Sequence, residues 1–414
     1  VGTHTYTGTL TINSGVTVTA GSASTPGLVI VEAEEVDIQG VITADGLGYD
    51  QATGPGAGTS GAWANTSGGG YGGDGGDGAS SGGGAYGSVT QPDDLGSGGG
   101  QDTGNGTTGG DGGGAVKFVA TGTMTLDGSI TVDGGDNTAY GAGGAGGSVW
   151  IQAGTVAGTG TITADGGNAG THSGGGGSGG RIAVYYTGGD PANWVVSTTG
   201  GLKDNGNGSS RGDGGAGTVY FKQAAATNGD LIVGNGDRIY SNYTDTGTTG
   251  SQTYDNITIK DGADYYIPSG FTLTLASSGT LTGGGTQQSS LTVASGGTFT
   301  PTGATSFTFN DINVDHDGTV NVITDLTVQD ATYYVTPGTS TFGAGTPNMT
   351  MASGGTLSTS GTSSITLGTL TVESGGSLIH ADNTTAKTNI LDISATTIDI
   401  QSGGTIDVDT RGYR

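Results

Sequence analysis

The residues best suited to chemistry in this sequence are aspartates that lie in glycine-rich surroundings. They occur within glycine-rich stretches and at Asp-Gly turns, and they are Asp74, Asp77, Asp111, Asp133, Asp136 and Asp165. Carboxylate oxygens are the ligands that Ca²⁺ prefers, so these positions are candidate calcium ligands. The calcium-binding pattern GGxGxDxUx does not recur in tandem, however, and aspartate is also a common turn residue. We therefore predict calcium as a candidate ligand and no required cofactor.

Residue patterns that are typical of catalytic centres do not occur. The histidines are far apart, and none belongs to a metal-binding pair of the H-x-x-x-H type; they are His4, His172, His316 and His380. A polysaccharide hydrolase that acts on uronates needs clustered carboxylic acids and paired basic residues, whereas Arg181 has no basic partner nearby. We predict no catalytic residue and no enzymatic activity, and a polysaccharide lyase or hydrolase is the weakest alternative.

Three aromatic residues lie in the longest glycine-rich stretch, residues 54–114. Because aromatic residues are unusual in pure linkers, Trp63, Tyr71 and Tyr86 favour an ordered segment. In an adhesive protein they would be the contact residues of the glycine loops. Glycine pairs recur every third residue in GGYGGDGGDG, which begins at Gly69, and this is the period of a polyglycine II helix. A flexible glycine loop is the alternative, and the sequence leaves both open.

Composition limits the class of fold that can position these residues. Of 414 residues, 93 are glycine, 31% are hydrophobic and 11% are charged, which excludes a large α-helical core. The 36 acidic residues outnumber the 10 basic ones, and the formal net charge of -26 disfavours binding to nucleic acid. The sequence has no cysteine and no apolar run of about 20 residues, so we predict no disulfide and no membrane span.

The C-terminal half repeats a short module with the periodicity of a half-buried strand. An apolar-polar-apolar triplet, a small turn and a second β-prone segment recur, for example as LTLASSGTLT from Leu273, LTVASGGTFT from Leu291 and LTVESGGSLI from Leu370. Successive modules start roughly 20 residues apart, which is about the length of one β-helix turn. The pattern predicts stacked, parallel strands with a thin apolar core.

The N-terminal half carries a longer variant of this module. LVIVEAEEVDIQGVITADGLG from Leu28, AVKFVATGTMTLDGSITVDGG from Ala115 and SVWIQAGTVAGTGTITADGG from Ser148 align almost without gaps. We predict an all-β fold, a parallel β-helix or β-solenoid with long glycine-rich loops and polyglycine II in part. The predicted division is an N-terminal β segment (1–27), a glycine-rich solenoid (28–225, with a large loop at 54–114) and a threonine-rich solenoid with short rungs (226–414).

A longer-range repeat links the two ends of the sequence. VDIQ at Val36 recurs as IDIQ at Ile398, and a tyrosine follows each copy, at Tyr49 and Tyr413. We therefore expect these residues to form about one large period of a longer protein, or a processed product of one.

These features together resemble a known class of protein. GGGGSGGRIAVYY (174–186), the Ala-Asp-Gly-Gly turns and the LTVxSGG modules are similar to glycine-rich parallel β-helix regions of giant secreted bacterial and archaeal adhesin-like surface proteins. The resemblance implies a secreted or cell-surface location and a structural or adhesive role, forming or decorating a fibre or filament. The expected partners are further copies, by end-to-end self-association or along a longer repeat chain, and surface glycans.

Other functions remain open from the sequence. One is a carbohydrate-binding or receptor-binding module like those at the tips of phage fibres, where glycine-rich segments resemble residues 54–114. That function needs a trimeric shaft, and the sequence shows no coiled-coil heptad for one. Threonine pairs such as Thr272 and Thr274 would also suit ice binding, although threonine is common on strand surfaces in general.

Overall fold

The structure is a computed structural model that describes residues 2–22, 27–62, 65–137, 139–170, 174–203, 212–238, 241–245, 250–277, 279–303, 305–322, 324–343, 345–409 and 411–412. Within these ranges the chain forms strands, turns and glycine-rich segments, with a single 3-10 helix at Pro191–Asn193 and no α-helix. No helix of this part of the chain has the length and apolarity needed to cross a membrane. The all-β prediction is confirmed.

The chain forms two compact units. The N-terminal unit comprises Val1–Thr248 with Asp261–Asp264, and the C-terminal unit comprises Thr249–Lys260 with Tyr265–Arg414. The sequence predicts a change of architecture at residue 226, some 20 residues before this division.

Sixteen strands are described in the N-terminal unit. They are β1 (Gly2–Thr5), β2 (Thr9–Ile12), β3 (Thr17–Thr19), β4 (Leu28–Ala33), β5 (Glu35–Ile38), β6 (Val41–Thr43), β7 (Ala115–Leu126), β8 (Ser129–Thr131), β9 (Ser148–Ala157), β10 (Thr161–Thr163), β11 (Arg181–Tyr186), β12 (Gly188–Gly189), β13 (Val195–Ser197), β14 (Thr218–Gln223), β15 (Asp230–Gly234) and β16 (Tyr243–Thr244).

Two sheets of this unit are built from parallel strands. The first has the order β1-β4-β7-β9-β11-β14. In the same sheet, β5 pairs with the second half of β7, and β2 pairs with β5. The other has the order β3-β6-β8-β10-β13. Equivalent residues of successive sequence repeats lie side by side, since Val29 pairs with Val116 and Val116 with Val149. The last pairing, between β14 and β15, is antiparallel.

Alternation of side chains creates the core of the N-terminal unit. In β7 the side chains of Phe118, Met124 and Leu126 are fully buried, and intervening residues are more exposed. Ile38 and Ile130 join the same apolar cluster. A strand places successive side chains on opposite faces, so a sequence with few hydrophobic residues still fills one thin core.

Eighteen strands follow, mainly within the C-terminal unit. They are β17 (Gly250–Tyr254), β18 (Asn256–Lys260), β19 (Asp264–Ile267), β20 (Phe271–Leu275), β21 (Leu281–Thr282), β22 (Ser289–Val293), β23 (Thr298–Pro301), β24 (Ser306–Asn310), β25 (Ile312–His316), β26 (Thr319–Val320), β27 (Asp325–Gln329), β28 (Thr332–Val335), β29 (Asn348–Met351), β30 (Thr356–Thr359), β31 (Ile365–Val372), β32 (Ser377–His380), β33 (Ile393–Ile400) and β34 (Thr405–Ile406).

Three sheets of parallel strands run through this unit. One continues from β22 through β25, β28, β30 and β32 to β34, a second has the order β17-β20-β23-β26, and the third has the order β24-β27-β29-β31-β33. Each module contributes one strand on either side of its Ser-Gly turn, where glycines such as Gly296 (φ 83°) and Gly375 (φ 84°) adopt the left-handed conformation. The predicted parallel pairing of repeats is confirmed.

Candidate functional site

The glycine-rich segments of the N-terminal unit lie against one another in its interior. We call this region the glycine bundle, and it comprises residues 68–76, 96–100, 110–114, 141–147, 174–180 and 212–217. Almost all of these residues are buried. Backbone hydrogen bonds join the segments, for example from Gly76 N to Gly176 O at 2.7 Å and from Gly176 N to Gly212 O at 3.0 Å. Such bonding satisfies backbone groups that would otherwise be buried without a partner.

Close backbone approach explains why the bundle consists of glycine. A Cβ atom at Gly143 would overlap the carbonyl oxygen of Gly167, and one at Gly177 would overlap that of Gly144. These obstacles are backbone atoms, which cannot rotate away as a side chain does. The structure therefore supports the ordered alternative for the glycine stretches over the flexible loop.

A buried arginine joins the glycine bundle to the first sheet through hydrogen bonds. Arg181, the first residue of β11, is fully buried. Its Nε donates to Tyr86 O at 3.0 Å, and its Nη2 donates to Tyr86 O at 2.9 Å and to Tyr71 O at 3.2 Å. Its Nη1 donates to Thr218 Oγ1 on the neighbouring strand at 3.1 Å. A planar guanidinium with five donors suits this convergence of oxygens.

The tyrosines that Arg181 holds are themselves anchored. The Tyr71 hydroxyl lies 2.5 Å from Ser148 Oγ, and the Tyr86 hydroxyl donates to the carbonyl oxygen of Leu95. The two rings lie 4.8 Å apart. We call Arg181, Tyr71, Tyr86, Ser148 and Thr218 the arginine clasp. Burial raises the pKa of both phenols well above 10, so both stay neutral hydrogen-bonding groups.

The position of the aromatic residues bears on their predicted role as contacts. Tyr71 has no exposed surface and Tyr86 is half-buried. Trp63 lies outside the described residues. Both hydroxyls have hydrogen-bond partners inside the molecule, Ser148 Oγ for Tyr71 and Leu95 O for Tyr86. Contact of these aromatic residues with a partner stays a prediction.

Three aspartates of the Ala/Val-Asp-Gly turns form a ladder along the second sheet. Asp45 Oδ1 accepts a hydrogen bond from the backbone N–H of Asp133 at 2.8 Å, and Asp133 Oδ1 accepts one from Asp165 N at 2.7 Å. Asp165 Oδ1 accepts the next from Thr199 N, also at 2.7 Å. The other oxygen of Asp133 accepts from the Thr163 hydroxyl at 2.9 Å. We call Asp45, Asp133 and Asp165 the aspartate ladder.

Stacking of like charges affects the middle member of the ladder. The pKa of Asp133 is raised from 3.8 to about 6, mainly by burial. Hydrogen bonds to its carboxylate from Asp165 N and the Thr163 hydroxyl lower the pKa, and the neighbouring carboxylates of Asp165 and Asp45 raise it. Two carboxylates that share a poorly solvated site resist simultaneous ionisation. Asp133 is therefore a titratable group of the fold near pH 6.

The remaining predicted calcium ligands each bind backbone at a different place. Asp74 accepts from Ala85 N at 2.9 Å, Asp77 from Gly82 N at 2.9 Å, Asp111 from Gln51 N at 2.8 Å and Asp136 from Asn168 N at 2.7 Å. The structure thus uses these carboxylates to close turns and to join neighbouring segments. Turn aspartates commonly have this role.

The described residues do not gather into a metal centre. Among them, no three His, Cys, Asp or Glu side chains are arranged so that they could hold a metal ion. Of the six predicted ligands, Asp133 and Asp165 are neighbours in the aspartate ladder. Calcium binding stays a prediction.

The histidines have separate surroundings. His316 is buried, where its Nδ1 lies 2.8 Å from the Tyr333 hydroxyl and its Nε2 lies 3.0 Å from Thr341 O. Burial lowers the pKa of His316 from 6.5 to about 4, so its ring is neutral at pH 7. His4 lies on β1 and His380 on β32, far apart in the sequence, and His172 is outside the described residues.

Exposed apolar side chains concentrate on two segments that sequence reasoning did not identify as sites. We call residues 9–19 (β2, a turn and β3) the first rung and residues 397–407 (the end of β33, a turn and β34) the last rung. Ten large apolar side chains are exposed among the described residues, and seven of them lie on these rungs or within three residues of them: Tyr6, Val16, Val18, Ile398, Ile400, Ile406 and Val408. The sequence signal is partial: IDIQ from Ile398 lies on the last rung, whereas VDIQ from Val36 lies on β5, which pairs with β2 of the first rung.

The comparison with known proteins adds no constraint on these sites. No protein-family model, no curated protein and no solved structure matches this chain.

Proposed function

We propose that this chain is an extracellular structural or adhesive repeat protein that forms or decorates a surface fibre. The observation that carries the proposal is the concentration of exposed apolar side chains on the first and last rungs. Monomeric proteins usually protect the edges of their sheets, and apolar patches that stay exposed commonly mark association surfaces. A protein of this kind needs no catalytic residue.

We further propose that the parallel sheets wind as a β-solenoid. Support comes from the constant pairing between repeats, since β31 and β33 align seven residue pairs from Ile365↔Ile393 to Val372↔Ile400. Each module also supplies strands to more than one sheet, as successive faces of a solenoid turn require. A solenoid suits a fibre because every rung presents the same backbone edge to the next.

The glycine bundle is proposed to be a packed array of polyglycine II helices. Support comes from the three-residue period from Gly69 to Gly76 and from hydrogen bonds that leave each segment in more than one direction. Gly99 N, for example, donates to Gly110 O at 2.8 Å, and Gly110 N donates to Ala142 O at 2.9 Å. Such an array is a stiff platform for the loops that emerge from it.

Calcium is proposed as a stabilising ligand at most. Twenty-six net negative charges and the carboxylates of the aspartate ladder attract divalent cations. The test is the melting temperature of the purified protein with millimolar calcium and then with excess chelator. An unchanged melting temperature would remove calcium from the proposal.

Imaging of the native material tests the main proposal. Electron cryomicroscopy of the cell surface and of shed filaments should reveal fibres whose density fits this chain in line with the fibre axis or attached along it. The proposal would be abandoned if antibodies against the chain label only intracellular material or only free monomers.

A receptor-binding module, like those at the tips of phage fibres, is the second candidate. The ordered, glycine-rich interior of the bundle favours it, because such a platform holds surface loops in fixed positions. Glycan-array binding by the isolated chain distinguishes the two candidates. Selective binding that is lost when the loop at Thr103–Thr107 is replaced by a glycine-serine linker would favour the receptor-binding module.

A further inference from the structure

The first and last rungs have the same local structure. Thr9–Ile12 and Thr397–Ile400 are strand residues, and after each a hydrogen bond closes a four-residue turn, from Val16 N to Asn13 O at 3.1 Å and from Gly404 N to Gln401 O at 2.9 Å. The third turn residue is a glycine in the left-handed conformation in both rungs, Gly15 (φ 80°) and Gly403 (φ 88°).

A single offset relates every element of the two rungs. Residue numbers differ by 388 (398 minus 10) for Leu10 and Ile398, and by the same 388 (406 minus 18) for Val18 and Ile406. The two strands of each rung are therefore separated by the same number of residues. The rung that follows the first one inside this chain has a shorter turn, since Ile12 pairs with Ile38 and Thr17 with Val41.

Side chains of the last rung are exposed where their counterparts one rung earlier are buried. Ile398 is 48% exposed, and its partner Leu370 is 0% exposed. Ile406 is 55% exposed, and its partner Leu378 is 2% exposed. In the first rung, Val18 is 37% exposed, whereas its partner Ile42 is 5% exposed. Both rungs thus present apolar side chains of one stripe that an adjoining rung would cover.

The strands of the first and last rungs are also compatible in their free backbone edges and in their charge. β33 and β34 end the order of their sheets, and β3 ends the order of its own. Residues 2–22 contain no Asp, Glu, Lys or Arg, although the chain carries a net charge of -26. The acidic residues Asp399 and Asp407 of the last rung would therefore face the neutral Thr11 and Thr19, without the repulsion expected between like charges on adjacent strands.

The turns offer a third point of fit. Inside the C-terminal unit, a Cβ at Gly403 would meet Ser374 Oγ of the preceding rung at 2.6 Å, so this serine packs against the glycine. The equivalent position in the first rung, Gly15, has nothing within 4 Å of its Cβ site. Ser402 of another copy would occupy this space.

From these observations we infer that the last rung of one copy pairs in parallel with the first rung of a second copy. Thr397–Ile400 pairs with Thr9–Ile12 and Thr405–Ile406 with Thr17–Val18, in the single register set by the offset. The inference rests on the proposed fibre function and specifies how neighbouring copies join in the fibre. We call the paired last and first rungs of two copies the junction. The junction adds one more strand to each of two sheets, those that end in β33 and β34, and continues the apolar stripe of the core.

Association of the purified chain Val1–Arg414 tests the junction first. Sedimentation and electron microscopy should show linear oligomers that grow with protein concentration. Ile398→Asp places a charge in the buried stripe of the junction and should weaken association about tenfold or more. The matched control is Tyr334→Asp, at a residue that is 45% exposed on a strand paired on both sides; it should leave association unchanged. Circular dichroism confirms that each variant is folded.

Engineered cysteines then test the register, because the chain has no cysteine of its own. A mixture of Thr11→Cys and Asp399→Cys proteins should form a disulfide-linked dimer on mild oxidation, since directly paired residues lie within reach of a disulfide. A mixture of Thr11→Cys and Thr397→Cys, two positions out of register, should cross-link far less.

The outcomes separate the junction from the function. A chain that stays monomeric at every concentration overturns the junction. So does association that is unchanged by Ile398→Asp, and so does equal cross-linking in the two cysteine mixtures. Native fibres in which another polypeptide covers the first rung also overturn it. In each of these cases the fibre proposal still stands if the chain is found within surface filaments.

Discussion

Individual ionisable side chains report on the fold through their hydrogen-bond partners. Asp133 and His316 are both poorly solvated, but burial favours the neutral form of each and so moves their pKa values in opposite directions. Asp133 gains affinity for its proton in the fold, whereas His316 loses it. The two groups therefore contribute opposite dependences of stability on pH.

Replacement of Asp133 by asparagine should stabilise the protein at neutral pH. The fold raises the pKa of Asp133 from 3.8 to about 6, so the stability that this group contributes is present below pH 4 and is lost as the pH rises to about 6. The side-chain amide of Asp133→Asn is neutral throughout: its Oδ1 can still accept from Asp165 N, and its Nδ2 can donate to the Thr163 hydroxyl oxygen, which reverses the direction of that bond. We expect a gain of about 1–2 kcal/mol at pH 7 and none at pH 4, measured by chemical denaturation.

Asp136→Asn is the matched control for this prediction. Asp136 also accepts a backbone hydrogen bond, from Asn168, but its side chain is exposed. The free energy of unfolding should change by less than about 0.5 kcal/mol at either pH. An equal gain in both variants would show that reduced net charge, and not the aspartate ladder, is responsible.

His316 should make the protein sensitive to mild acid. Its pKa is about 4 in the fold and 6.5 when unfolded, so the stability associated with its neutral ring is complete above pH 6.5 and is lost as the pH falls through 4. The wild type should therefore lose free energy of unfolding between pH 7 and pH 4. We expect this loss to be about 2–3 kcal/mol smaller in His316→Gln, whatever the stability of the variant at pH 7. Denaturant titrations at several pH values measure this difference.

His380→Gln provides the comparison for His316. His380 is only half-buried and contacts Ala381 O. The stability of this variant is measured at the same pH values as that of His316→Gln and of the wild type. If His316→Gln has the same slope as the wild type, the buried ring is not the group that responds to acid.

At the scale of strands and glycine segments, the arginine clasp joins parts of the chain that are distant in sequence. Arg181 on β11 holds carbonyl oxygens of Tyr71 and Tyr86, which lie 110 and 95 residues away. Replacing it with methionine leaves these buried carbonyls without their donor and should cost about 3–5 kcal/mol. Arg181→Lys should recover only part of this, because lysine lacks the planar fork.

Limited proteolysis provides the readout that is specific for the clasp. Cleavage between residues 71 and 95 should accelerate in Arg181→Met under conditions where the sheets remain folded, because the clasp fastens this segment to β11 and β14. Lys222→Met on β14 removes the charge of a half-buried lysine and its hydrogen bond to Thr227 O, and this variant should be cleaved as the wild type is. Uniform cleavage along the whole chain would indicate global unfolding and contradict a local clasp.

The strands themselves were predictable because their signal is local. A triplet such as Leu291–Val293 has the two-residue period of a half-buried strand, and it forms part of β22 with Leu291 and Val293 buried. Alignment of the repeats at Leu28, Ala115 and Ser148 also anticipated the register, since these residues begin β4, β7 and β9 and pair as aligned. Repetition in the sequence becomes lateral pairing in the sheet.

Contacts across the glycine stretches were beyond prediction from the sequence. Asp45 and Asp133 are neighbours in the aspartate ladder but 88 residues apart, because the stretch between them folds into the bundle before the chain returns to the sheet. The buried position of Arg181 depends in the same way on where the bundle places Tyr71 and Tyr86. A charged residue at the start of a strand gives no local sign that carbonyl oxygens from a distant loop will surround it.

At the scale of the whole molecule, long-range repulsion opposes the association that the rungs favour. Each copy carries a formal charge of -26, so two copies repel at low ionic strength even though residues 2–22 are uncharged. Salt screens this repulsion over distances beyond about 8 Å at 0.15 M, while burial of Ile398, Ile406 and Val18 is not weakened by it. End-to-end association should therefore strengthen as salt increases.

We expect the concentration needed for half-maximal association to fall severalfold between about 0.02 M and 0.2 M sodium chloride. Light scattering over a dilution series measures it, and Ile398→Asp should remain largely monomeric across the range because screening cannot restore its apolar contact. The opposite trend, weaker association in salt, would indicate that ion pairs hold the copies together. The neutral first rung offers no such partner for Asp399 or Asp407, so a salt-strengthened junction is the outcome that its composition requires.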